Sequence, residues 1–211
     1  MRVTVFGPTG GTGRSAIAQA LDAGDKVTVL VRDPAALSEF GDSIQVVAGD
    51  VLDPLAVAEA VDGAEVVISG LGIGMHRHAT TVYSQGTANI IAAMRAEGIR
   101  RLLVVSTSSL EIPAPRQFAE WLIAKFLLHR ILAKPYADMA VMEQHLRASD
   151  MDWTLVRAAR LTNGPVTGQY RTITDAKLRG CWSISRADVA HYCLTHAANP
   201  ETFQHTVEMA Y

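Results

Sequence analysis

Cysteine is scarce in this chain. Its two copies, Cys181 and Cys193, stand apart and outside any metal-ligand spacing, which excludes a disulfide framework and predicts free thiols. Net charge is nearly absent as well: 19 Lys and Arg against 21 Asp and Glu leave −2, giving no general attraction to nucleic acid or anionic membrane. No uninterrupted apolar run reaches bilayer-spanning length. Met1-Arg2-Val3 enters a strand directly, without the charged and apolar regions of a signal peptide, so a cytoplasmic protein without a membrane partner is expected. Linkers, repeats and low-complexity tracts are missing too. With 49% hydrophobic and 19% charged residues over 211 positions, one well-buried domain, residues 1–211, is expected.

What is present begins at Val3-Thr4-Val5-Phe6, a β-branched run that breaks into Gly7-Pro8-Thr9-Gly10-Gly11-Thr12-Gly13-Arg14 and then into the helical Ser15-Ala16-Ile17-Ala18-Gln19-Ala20-Leu21. This reads as strand, phosphate loop, helix. Glycines at 7, 10 and 13 suit a chain that turns sharply, brings backbone against a pyrophosphate and packs a helix close to a strand. The free N–H groups and positive dipole end of the helix then face the phosphates, so a dinucleotide is the expected ligand.

Strands follow at 26–31, 44–48, 64–69, 101–106 and 153–156, with short ones near 184–185 and 206–209. Between them, Asp33-Pro34 and Asp53-Pro54 cap short helices, and further helices are read over 81–97, 136–148 and 186–196. The apolar stretch from Phe118 to Ala133 is read as helical, serving as packing, lid or oligomer contact, with Pro135 separating it from the next helix. Alternation of strands and helices predicts an α/β fold: a Rossmann-type, doubly wound parallel sheet with helices on both faces and all strand-end loops on one ligand-binding edge. Substrate-side elements are expected mainly from 107–135 and 158–190. Glu143 and Arg147 read as a solvated i,i+4 pair, Ser106 as a strand-end hydrogen-bonding residue, and Arg186 with Asp188 as braces opening the last helix.

Several segments together resemble the atypical short-chain dehydrogenase/reductase group of NAD(P)H-binding proteins, NmrA-like, and in particular its biliverdin-IXβ/flavin reductase-like branch. They are Phe6 to Gly13, Val29-Leu30-Val31-Arg32-Asp33-Pro34, Gly49-Asp50-Val51, Gly86 to Met94, Val104 to Ser108, Met142 to Ser149 and Ile184 to Ala190. The resemblance implies a cofactor site on Gly7, Thr9, Gly10, Gly11, Thr12 and Gly13. It also places Asp50 and Val51 beside the adenine, with Leu71 and Gly72 lining the path to the nicotinamide. At the end of strand two, where NAD-preferring folds carry a carboxylate for the ribose diol, stands Arg32, and Arg14 is expected to reach the same corner. Guanidinium groups match a 2′-phosphate, so NADP(H) is expected rather than NAD(H).

In the wider superfamily a Ser or Thr, a Tyr and a Lys four residues later form the proton-transfer set, the Lys lowering the Tyr pKa. Tyr136 falls near the Tyr position, but Ala140 stands where the Lys would be. A flavin or linear tetrapyrrole accepts hydride with water supplying the proton, so the reductase branch suits this deficit. Thr107 and Ser108 are the candidate substrate-contacting hydroxyls, with Tyr136 as a hydrogen-bond donor or packing residue. His76 is expected near nicotinamide or substrate. Arg160 aligns where the branch carries a histidine and is expected to hold an anionic substrate group. His76 and His78 without a third ligand predict no metal site. The resulting expectation is an NADPH-dependent reductase acting on a small conjugated acceptor, as a monomer or homodimer. The alternatives are an NmrA-type NADP(H) sensor and a sugar-nucleotide or isoflavone-type reductase or epimerase.

Overall fold

The computed structural model describes residues 1–74, 76–110 and 132–211. Its strands are β1 (Arg2–Phe6), β2 (Lys26–Val31), β3 (Ile44–Ala48), β4 (Val66–Ser69), β5 (Arg101–Thr107), β6 (Asp152–Ala158), β7 (Arg160–Thr162), β8 (Arg171–Thr174), β9 (Ser183–Ser185) and β10 (His205–Ala210). The described α-helices are α1 (Gly11–Asp22), α2 (Pro54–Val61), α3 (Ser84–Ala96), α4 (Ala133–Arg147) and α5 (Arg186–Thr195).

Eight strands form one sheet in the order β3-β2-β1-β4-β5-β6-β10-β8, parallel except for the antiparallel β10–β8 pair at the edge. Chain direction across the sheet reverses between β1 and β4, and a crevice opens at such a switch point outside the strand carboxyl ends. Alternation sends side chains to two cores. Val3, Val5, Ile68 and Leu103 pack with Ala16, Ile17 and Ala20 of α1 and Val189 and Cys193 of α5. On the other face Val67, Leu102 and Val104 meet Val57 of α2, Ile90 and Met94 of α3, and Met142 and Leu146 of α4. The Rossmann-type α/β fold expected from the sequence is the one observed. Both cysteines are free thiols, and burial pushes that of Cys193 up to about 12. None of the described helices is long and apolar enough to cross a membrane.

Three readings need amendment. The segment after Asp33, expected as one short helix, is a run of 3-10 turns (Pro34–Ser43) broken at Leu37 and at Gly41, where φ is +50°. Pro135, expected ahead of the helix, lies within the first turn of α4, where its missing N–H costs no helical bond. Between the strands expected at 153–156 and 184–185 lies β8, whose residues are all exposed and therefore show no apolar alternation. The expected helix over Phe118 to Ala133 lies, up to residue 131, outside the described residues.

Candidate functional site: a cleft at the strand ends

A cleft of about 980 Å³ runs along the switch point. Its floor is the glycine loop. Gly7 adopts φ +74°, and a side chain there would collide with the carbonyl of Gly70; one at Gly13 would strike the carbonyl of Gly7, where α1 presses onto the strand end. The N-cap of α1 is Gly10, and no side chain caps that end. Gly10, Gly11 and Thr12 line the cleft, so the first-turn N–H groups are available to an anion. A bare helix start of this kind can take an anionic group such as a phosphate.

One end is set by Arg32, Asp33, Ala36, Asp50 and Val51. Arg32 is exposed, with no hydrogen bond or ion pair of its guanidinium among the described residues. Arg14 is differently placed. Its Nη2 donates to the Ala36 carbonyl at 2.7 Å, its Nε to that of Thr9 at 3.2 Å, and its charge is met by Glu39. Asp50 Oδ1 accepts from the Leu52 N–H at 3.0 Å, and the Val51 carbonyl accepts from Asn89 Nδ2 of α3 at 2.9 Å. Gly86 lets α3 close on the side chains of Val51 and Leu71, which thereby become a firm wall.

The other end gathers Leu71, Gly72, His76, Tyr83, Ser106, Thr107, Met139 and Leu161, while Arg186 lines the cleft over Gly11 of the loop. Beneath it lies a charged network. Glu143, 2% exposed, receives Nε and Nη2 of Arg157 at 3.2 and 2.6 Å, Nη1 of Arg147 at 3.0 Å and the Ser106 hydroxyl at 2.8 Å. Burial would raise the Glu143 pKa, but these donors outweigh it and hold the carboxyl below its ordinary value. Ser106 lines the cleft, and because its hydroxyl proton is given to Glu143 its oxygen is left as an acceptor. Beside it runs a chain of hydroxyls: Thr107 Oγ1 to Ser109 Oγ at 2.8 Å, and Ser109 Oγ to Tyr136 Oη at 2.7 Å. Tyr83 is anchored by its backbone N–H donating to Asp138 at 3.0 Å and lends its hydroxyl to the Ile73 N–H at 3.4 Å.

Residues 7–200 match the family described as NAD(P)H-binding. The chain belongs to that family. A chloroplastic protein of Arabidopsis thaliana, At2g34460, is 30% identical over 217 aligned residues, covering 99% of this chain and 76% of its own. Mycobacterial relatives at 31% identity are much longer, the match spanning 21% of their length. Among solved structures, ChuY of Escherichia coli O157:H7, an anaerobillin reductase, superposes with a TM-score of 0.83 at 22% identity, covering 100% of this chain and 97% of its own. A short-chain dehydrogenase/reductase of Veillonella parvula in complex with NADP gives 0.78 at 20% identity, covering 100% and 94%. These two establish likeness of fold, while the family match establishes the nucleotide.

For a member of the NAD(P)H-binding family, the expected residues fall into place unevenly. Gly7, Thr9, Gly10, Gly11, Thr12, Arg32, Asp50, Val51, Leu71, Gly72, His76 and Thr107 all line the cleft. Gly13 supports the loop from behind. Tyr136 is buried off the lining and is linked to the lining residue Thr107 through Ser109, a residue the motifs did not single out. Ser108, whose backbone carbonyl accepts from Lys177, and Arg160, exposed on β7, are both absent from the lining where a substrate contact was expected. On α4 the residue that enters the wall is Met139, one before the Ala140 position, and it too is no lysine. Glu143, read as solvated, is buried. The signal for that lay in Arg157, a charged residue inside the apolar run of β6, which demands a partner.

Proposed function

We propose that this chain is an NADPH-dependent reductase that delivers hydride to a flat conjugated acceptor, such as a flavin, quinone or linear tetrapyrrole. The observation that carries this reading is the composition of the far wall: Met139, Thr107 and the acceptor oxygen of Ser106, with no lysine among the described lining residues. When bound, the reduced nicotinamide supplies the hydride. Ser106 and Thr107 offer hydrogen bonds that orient a ring system, and Met139 offers a polarizable apolar surface against which it lies flat. Glu143, held ionised by arginines, is no acid. The hydroxyl chain links Tyr136 to Thr107, and no lysine stands among the described lining residues to drive proton release from it. An acceptor that draws its proton from water fits such a wall, whereas a simple ketone does not. Arg32 supports NADPH as the preferred form, and the anaerobillin reductase activity of ChuY, a fold neighbour, agrees with a tetrapyrrole-sized acceptor.

The test is acceptor-dependent oxidation of NADPH across a panel of FMN, a quinone and biliverdin. At least one should be reduced well above background, and Tyr136→Phe should lower kcat by no more than about 10-fold, beneath the range of a true general acid. A loss of about 1000-fold in that variant would assign Tyr136 the acid role and point to carbonyl chemistry. No oxidation with any acceptor would sink the reductase reading and leave a nucleotide-sensing role.

A further inference from the structure

Arg186 is the first residue of α5, and it lies across the start of another helix. Its stem packs on Gly11, the first residue of α1, so closely that a side chain at position 11 would collide with Cδ and bring its Cβ to 3.2 Å from Nε. Arg186 lines the cleft at this point and is half-buried. Its guanidinium has one described side-chain partner, the neutral Asn163, whose Oδ1 accepts from Nη1 at 2.7 Å. No carboxylate reaches it among the described residues. Asp188, two positions on, is fully engaged by Thr167, Gly168 and Tyr211.

This is an unfavourable address for a cation. The N-terminus of α1 is uncapped by any side chain, so the positive end of its dipole lies beside the stem and Nε of Arg186, whereas the start of α5 is matched by the Ser185 cap and Asp188. Like charge from two sources, the bare start of α1 and a half-buried guanidinium without a carboxylate among the described residues, is explained by an anion that belongs between them. Surface arginines that merely solvate do not lay their stems along a phosphate loop.

We infer that Arg186 is a diphosphate clamp: it closes over the nucleotide from the side opposite the loop N–H groups, and Asn163 holds its planar fork in register. The inference rests on the family's dinucleotide and not on the identity of the acceptor. It assigns to a residue beyond the nucleotide-binding half of the sheet a share of cofactor affinity indifferent to the 2′-phosphate, and so separates it from Arg32.

Dissociation constants for NADPH, NADH and adenosine 2′-monophosphate, measured on the wild type and on Arg186→Met, Arg186→Lys and Asn163→Ala, test this together with the Tm of each ligand-free protein. Arg186→Met should weaken NADPH and NADH equally, by about 10- to 100-fold, the worth of charge-assisted hydrogen bonds, and leave the diphosphate-free nucleotide unchanged. Arg186→Lys should recover part of the loss, since it keeps the charge and forfeits the fork. Asn163→Ala should give a smaller loss of the same pattern. The ligand-free Tm of Arg186→Met should match or exceed that of the wild type, because a like-charge repulsion is relieved. Unchanged NADPH binding would overturn the clamp, as would weakening confined to NADPH. A lowered ligand-free Tm with all three ligands weakened would show a structural brace instead. These readouts stand even if no acceptor is reduced; a wild type that binds neither dinucleotide would instead refute the cofactor reading itself.

Discussion

At the scale of single residues, the site is decided by which charges are already spent. Arg14 and Arg32 look equivalent as guanidinium groups near the adenine corner, yet Arg14 is consumed by two carbonyls and Glu39 while Arg32 faces the cleft unpaired among the described residues. Arg32→Ala should therefore raise the Kd for NADPH about 10- to 100-fold and leave that for NADH within about 2-fold, as titration of both cofactors would show. Equal weakening of both would remove Arg32 from the 2′-phosphate. Glu143 teaches a similar lesson. An i,i+4 pair with Arg147 is usually a surface matter, but here Arg157 from β6 reaches the same carboxylate, and two buried charges together can be tolerated where one alone is not.

Among elements, the join between α3 and α4 matters most for the far wall of the cleft. No side chain of its own caps α3; the Asp138 carboxylate of α4 accepts from the backbone N–H groups of Tyr83 and Ser84 at 3.0 and 3.4 Å and from the Ser84 hydroxyl. Capping is ordinarily read from adjacent residues, and here the cap comes from more than fifty positions away, so it could not be read in the sequence. Removing it leaves buried N–H groups unmatched. Asp138→Ala should cost about 1–2 kcal/mol in a denaturant titration, with Asp138→Asn recovering part through its remaining acceptor oxygen. A change within about 0.3 kcal/mol would show that water replaces the cap at no cost. By contrast, the caps on Asp33 and Asp53 were legible, because each side chain accepts from a backbone N–H two residues on.

Across the whole molecule, α5 ties the late segments to the sheet, and both of its ends are electrostatically matched. Arg101, 6% exposed, donates to the carbonyls of His196 and Ala197 at 2.9 and 2.7 Å past the C-terminus of α5, and burial lowers its pKa to about 10. Near the N-terminus Asp188 accepts from the hydroxyl of Tyr211, the N–H of Gly168, and the N–H and hydroxyl of Thr167. Burial would raise its pKa, but these donors prevail and lower it from 3.8 to about 2. A depressed carboxyl pKa contributes stability that is complete above the unfolded value and lost as pH falls through the folded one. The contribution of Asp188, at most about 2 kcal/mol, should disappear between roughly pH 4 and pH 2. Asp188→Asn should flatten stability against pH in that window when chemical unfolding is followed stepwise. An unchanged profile would assign acid sensitivity to other carboxylates.

The chain's sequence by itself determined what depends on near neighbours: β-branched runs that become buried parallel strands, proline-bounded caps, and glycines where backbone must turn or lie close to other backbone. From these the Rossmann-type sheet, its ligand edge and the nucleotide followed. Tertiary structure alone decided which of two arginines stays free, that Glu143 is buried, that Tyr136 is linked to Thr107 through Ser109, and that Arg186 lies on Gly11. The physical reason is common to all four. A side chain's charge and hydrogen-bonding capacity are written in its identity, but what remains of them for a ligand is set by partners that only folding brings into contact.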